Sequence, residues 1–174
     1  MKIAMTNSTK KTTTTRKRSV KVKAESPKLP PNPFVQEILE LASKQRTKAK
    51  KVEILQEYAN PALKSLFIWN FDDTVISVVP EGEVPYKENE VPVGTDHTSL
   101  RREYKHLYNF VRGGNDSISS LRRETMFIQM LEGLHPAEAE ILCLVKDKQL
   151  QTKYKISYDI VKDAYPDIQW GGRS

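Results

Sequence analysis

Between residues 6 and 28 the chain offers almost nothing to bury, so any folded body has to be assembled from what lies beyond Pro33. The opening stretch is polar and repetitive: Lys10 and Lys11, threonines from 12 to 15, the triplet Arg16-Lys17-Arg18, then Lys21 and Lys23. Ordering it would cost about 1 to 2 kcal/mol per residue with no apolar burial to offset the loss, so it is expected to stay disordered when free. Prolines at 27, 30, 31 and 33 stiffen the exit into an extended linker. The expected organisation is a basic arm and linker over 1–32, a helical domain over 33–166 and a flexible tail over 167–174.

Charge follows the same division. Of a net +6, residues 1–33 hold nine Lys and Arg against one acid, which leaves residues 34–174 with a small acidic excess. Affinity for nucleic acid is therefore expected in the arm, through Lys10, Lys11, Arg16, Lys17, Arg18, Lys21 and Lys23. Such cations track phosphates without reading sequence, because no aromatic residue is present there to stack on a base. A solubilising tail, or a segment ordered by a protein partner, explains the same composition. One cysteine, Cys143, suits a reducing interior, and no run reaches the roughly 18 apolar residues of a membrane span. A cytoplasmic location is expected, in whatever cell makes the protein.

Beyond the linker the pattern is helical. Asn32-Pro33, Asn60-Pro61 and His135-Pro136 read as helix starts, since proline in a first turn loses no needed donor. Phe34, Ile38, Leu41 and Ala42 recur at helical spacing until Lys44, and Thr47 is placed to cap a second helix with Val52, Leu55 and Tyr58 along one side. Leu63, Leu66, Phe67, Trp69 and Phe71 are apolar on more than one face, which marks a helix sunk in the core. Residues 75–79 read as one short strand, followed by a long irregular crossing. Ser99-Leu100-Arg101-Arg102-Glu103 recurs as Ser120-Leu121-Arg122-Arg123-Glu124, and the two copies are expected to open an antiparallel helical hairpin whose first arm stops at Gly113-Gly114. Further helices are expected from Pro136 to about Lys146 and after Ser157. The fold class is mainly α, with six to seven helices.

Few residues suggest chemistry. His97, His106 and His135 fall in separate elements, with no acid and nucleophile at a recognisable spacing. Asp72, Asp73, Glu81 and Glu83 form an acidic cluster that a metal-dependent nuclease would need to converge; Asp72 or Asp73 ending a helix is the simpler account. Residues 113–117 could form a nest of amides for a phosphate, or merely a helix stop followed by a cap. Cys143 lies in an apolar run and reads as a core thiol. The arginine pairs Arg101 with Arg102 and Arg122 with Arg123 either bridge to Glu103, Glu124 and Glu132 or present a phosphate- or partner-binding face. Trp170, beside two glycines, either folds back on the core or anchors a partner. No catalytic residue, metal ligand or cofactor is expected.

Several phrases taken in order carry a resemblance: Ser65-Leu66-Phe67-Ile68-Trp69-Asn70-Phe71-Asp72, Val79-Pro80-Glu81-Gly82-Glu83-Val84-Pro85-Tyr86, Leu121-Arg122-Arg123-Glu124-Thr125-Met126-Phe127-Ile128 and Leu131-Glu132-Gly133-Leu134-His135-Pro136. Over about residues 33–172 the chain resembles a family of uncharacterised proteins, a domain of unknown function, encoded by T-even-like tailed phages, notably those of marine cyanobacteria. The resemblance implies a phage product made in a bacterial host, and no catalytic residues. The leading expectation is a non-enzymatic accessory protein whose helical domain docks on a phage or host protein or nucleoprotein assembly while the arm contacts nucleic acid. A virion or assembly component is the rival expectation, and a metal-dependent enzyme acting on nucleic acid the third.

Overall fold

The computed structural model describes residues 28–92 and 98–173. The seven arm cations and His97 lie outside them. The described chain is mainly helical: α1 (Val35–Ser43), α2 (Lys48–Glu57), α3 (Pro61–Phe71), α4 (Leu100–Glu103) running into a 3-10 helix (Tyr104–Phe110), α5 (Ser120–Gly133), α6 (Pro136–Lys146), α7 (Leu150–Tyr154) and α8 (Tyr158–Ala164).

Local chemistry sets most of the boundaries. The Thr47 hydroxyl accepts the Lys50 amide at 3.3 Å, and Asn60 Oδ1 accepts the Leu63 amide at 2.8 Å with Pro61 at the first helical position. His135 Nδ1 accepts the Ala137 amide at 3.1 Å, again ahead of a proline. Pro33 is the exception among the three expected starts. It precedes the cap Phe34, whose amide is taken by the Glu37 carboxylate at 3.1 Å, so α1 begins at Val35.

α3 is the buried axis. Leu63, Leu66 and Phe67 are fully covered, and the helix packs against α6, α4 and the 3-10 helix. α1 packs on α2 and α2 on α8, where the Tyr165 hydroxyl donates to the Leu55 carbonyl at 2.5 Å. Leu29, assigned above to the linker, packs on this core and donates its amide to the Tyr58 hydroxyl at 3.1 Å.

Three further expectations need correction, and one helix was not expected. Residues 75–79 form no strand: Ser77 makes only an isolated antiparallel bridge with Val111, closed by Val78 N–H to the Phe110 carbonyl and Arg112 N–H to the Ile76 carbonyl. The partner segment turns away at Gly113, so the ladder has nowhere to extend. The first arm of the expected hairpin is a single α turn that tightens into a 3-10 helix and ends at Phe110, before the glycines. The one-turn helix α7 was not anticipated; Lys155, not glycine, holds the left-handed position that closes it, at φ +45°. Within the segment expected to be a flexible tail, residues 168–173 fold back: Ile168 and Trp170 pack on the core, and Trp170 meets Tyr158 edge-on at 5.0 Å.

Candidate functional site

The cleft that the sequence brings closest to chemistry lies where the acidic cluster meets the end of α6. It encloses about 350 Å³, and its walls include Asp73, Ser77, Glu81, Lys146, Asp147 and Lys148. The two lysines give it a catalytic look, and their hydrogen bonds remove it. Lys146 is buried, and its ammonium donates to the carbonyls of Pro80 at 2.8 Å and Gly82 at 3.0 Å and to Asp147 Oδ1 at 2.6 Å, which uses all three protons. Lys148 donates to the carbonyls of Trp69 at 2.7 Å and Asp72 at 2.8 Å, answering orphan acceptors at the C-terminal end of α3. Trp69 Nε1 donates to the Ser77 hydroxyl at 2.8 Å, and that hydroxyl donates to the Lys146 carbonyl at 2.7 Å. These bonds bind α3, the start of the crossing and the end of α6 into one knot.

The acids do not converge. Asp72 caps α3; its Oδ1 accepts the Thr74 amide at 2.9 Å and hydroxyl at 2.7 Å, while Oδ2 accepts the Gly171 amide at 3.0 Å and Arg173 Nη1 at 2.7 Å. Burial alone would raise this carboxyl; the Thr74, Gly171 and Arg173 donors outweigh it and hold it at about 2. Asp73, Glu81 and Glu83 are exposed. No group of three or more His, Cys, Asp or Glu among the described residues is placed to hold a metal ion.

A second buried acid, Glu138, is the feature that sequence reading missed. Its Oε2 accepts the Val35 amide at 3.2 Å and its Oε1 the Leu100 amide at 3.3 Å, so one carboxylate joins the first turns of α1 and α4. Burial pushes it up to about 7, against the pull of those two amides and of Arg101. The only available signal was its place in the first turn of a helix, which fits an exposed acid equally well.

The remaining candidates separate cleanly. Each arginine pair splits, because neighbours on a helix point about 100° apart. Arg123 is buried and turned inward, donating to the carbonyls of Asn109 at 2.9 Å, Asn115 at 2.9 Å and Ile118 at 3.4 Å. Arg101 is half-buried and reaches the Pro33 carbonyl at 3.4 Å. Arg102 and Arg122 are exposed. Among the described residues none of the four pairs with Glu103, Glu124 or Glu132. The Gly113 amide of the candidate phosphate nest is taken by Asp116 Oδ1 at 3.1 Å, and Ser119 caps α5 through the Arg122 amide at 3.2 Å; the cap is as expected, whereas the 3-10 helix has already ended at Phe110. Cys143 packs against the core, and burial pushes its thiol up to about 11. His106 is exposed, and His135 is the α6 cap described above. Of the two readings of Trp170, the structure shows the ring folded back.

No helix among the described residues is long and apolar enough to cross a membrane. The family model described as "Family of unknown function (DUF6433)" matches residues 38–152, from the middle of α1 to within α7. No curated protein and no solved structure matches the chain.

Proposed function

From the premise that the chain belongs to the DUF6433 family of unknown function, we propose that it is a non-catalytic accessory protein working on nucleic acid in a phage-infected bacterial cell. The observation that carries this reading is the segregation of charge: nine Lys and Arg against one acid in residues 1–33, joined to a body with a small acidic excess. A body of that sign has no general attraction for phosphate, so the cations at 10–23 are the leash and the helical domain is the part that docks on a protein or nucleoprotein assembly. The commitment of Lys146, Lys148, Asp72, Glu138 and Arg123 to internal bonds supports a scaffold in preference to a reaction centre.

The test replaces Lys10, Lys11, Arg16, Lys17, Arg18, Lys21 and Lys23 with glutamine in the full chain and follows duplex DNA binding against salt. If all seven cations meet phosphates, the log–log salt slope of the native chain is about 6 units steeper than that of the variant, at about 0.9 per contact. An unchanged slope overturns the assignment. Recovery of capsid or tail proteins with the tagged chain from infected cells would make it a virion component instead.

A further inference from the structure

The 3-10 helix does something that an α-helix of the same sequence would not. With three residues per turn its side chains at i and i+3 eclipse, so the element carries straight rows in place of a winding stripe. One row faces in: Leu107 and Phe110 are buried, with Tyr104 packed against the core beside them. The next row faces out. Lys105 and Tyr108 are exposed, and Arg102, three residues before Lys105 in the single turn of α4, is exposed as well. Tyr108 keeps half of its surface in solvent, and its ring meets no other ring among the described residues.

The surroundings have a matching sign. Residues 98–125 hold six Lys and Arg against three acids, within a body that is otherwise acidic. Two of the cations, Arg101 and Arg123, point inward; Arg102, Lys105, Arg112 and Arg122 are exposed, and among the described residues their side chains make no ion pair or hydrogen bond. Of the acids, Asp116 is turned onto the Gly113 amide, and Glu103 and Glu124 are half-buried. Arg123 ties the first turn of α5 to the Asn109 carbonyl, which holds Arg122 at the same end of the domain as Tyr108. Gly114 seats the loop directly on the Tyr108 backbone: a Cβ there would lie 1.9 Å from the Tyr108 carbonyl oxygen.

We infer that the row Arg102, Lys105, Tyr108, flanked by Arg112 and Arg122, is a contact surface for single-stranded nucleic acid. The cations follow the phosphates and the Tyr108 ring takes the face of one unpaired base. Only an unpaired base offers that face, and stacking on it is indifferent to sequence. The inference rests on the reading that the protein works on nucleic acid, and it gives the folded body its own share in that contact beside the arm.

The test uses the full chain with labelled oligothymidylate. Tyr108→Leu is expected to weaken binding about tenfold, the loss of one base–aromatic stack, and to do so equally at high salt; Tyr108→Phe keeps the binding. Arg102→Gln with Lys105→Gln lowers the salt slope by about 1.4, two contacts at about 0.7 each on a single strand. Repeating both in the arm-neutralised chain separates the two surfaces. If Tyr108→Leu has no effect in either background, the row is a solvated face and the inference falls, whatever the arm does. If Tyr108→Leu still weakens an arm-neutralised chain that otherwise binds like the native one, the arm assignment falls and the row stands.

Discussion

A carboxylate buried to zero exposure is costly unless its oxygens are answered, and Glu138 has two backbone amides to answer them. Burial still prevails and lifts it from 4.5 to about 7, with Glu37 adding to the rise and Arg101 opposing it. The folded state therefore binds a proton more tightly than the unfolded chain. Its contribution to stability is complete below the unfolded value and fades as the pH climbs through 7, a change of about 3 kcal/mol across that interval. Urea unfolding at pH 5 and pH 8 measures the fall. Glu138→Gln, which resembles the protonated acid, flattens it, while Glu138→Ala strands two buried amides and costs about 3 kcal/mol at pH 5. None of this was visible in the sequence, because an acid in a first turn looks the same whether it is solvated or buried. Arg123 and Lys146 escaped for the same reason: a charged residue is read as surface until the carbonyls that receive it are in place.

At the scale of elements, legibility depended on whether the signal was local. The caps Thr47, Asn60 and His135 were readable because a side chain two or three residues from its amide is a sequence-level fact. The buried axis α3 was readable from apolar residues on several faces, and α6 from its proline and its apolar run. The tightening of α4 into a 3-10 helix was not, since it is set by the contacts of Leu107 and Phe110 with the core and by the loop that returns onto Tyr108. The duplicated Ser-Leu-Arg-Arg-Glu phrase therefore opens two elements of different winding, one a short turn and one a helix of 14 residues. Gly114→Ala tests that dependence. Its methyl would overlap the Tyr108 carbonyl, so the loop has to move; a loss of about 2 to 4 kcal/mol in chemical denaturation is expected, together with a change in the environment of Tyr108. A substitution that leaves stability unchanged would mean that the loop is not seated on the 3-10 helix.

For the molecule as a whole, the C-terminal segment is a latch across the seam between α3 and α8. Trp170 covers Tyr158, Tyr158 leans on Phe71 at 6.3 Å, and Gly171 and Arg173 close onto Asp72. Ending the chain after Asp167 removes the Ile168 and Trp170 packing along with two of the donors that keep Asp72 ionised, and a loss of about 3 kcal/mol is expected in thermal or urea unfolding. The acid limb moves as well. A carboxyl held at about 2 contributes stability above its unfolded value near 3.8 and loses it as the pH falls toward 2, so the shortened chain should unfold at a higher pH than the native one. Identical acid midpoints would show that the latch carries no load. Sequence composition suggested a loose end here because its glycines are real, and Gly171 and Gly172 do adopt positive φ; what they allow is a tight return onto Asp72.

The amide at the head of α1 is bonded to a side chain 103 residues further along the chain. A ribosome must therefore pass residue 138 before α1, the first helix among the described residues, can be sealed. Nascent chains that stall short of that point would expose the apolar side of α1 to chaperones and proteases, so assembly of this domain waits on the synthesis of α6.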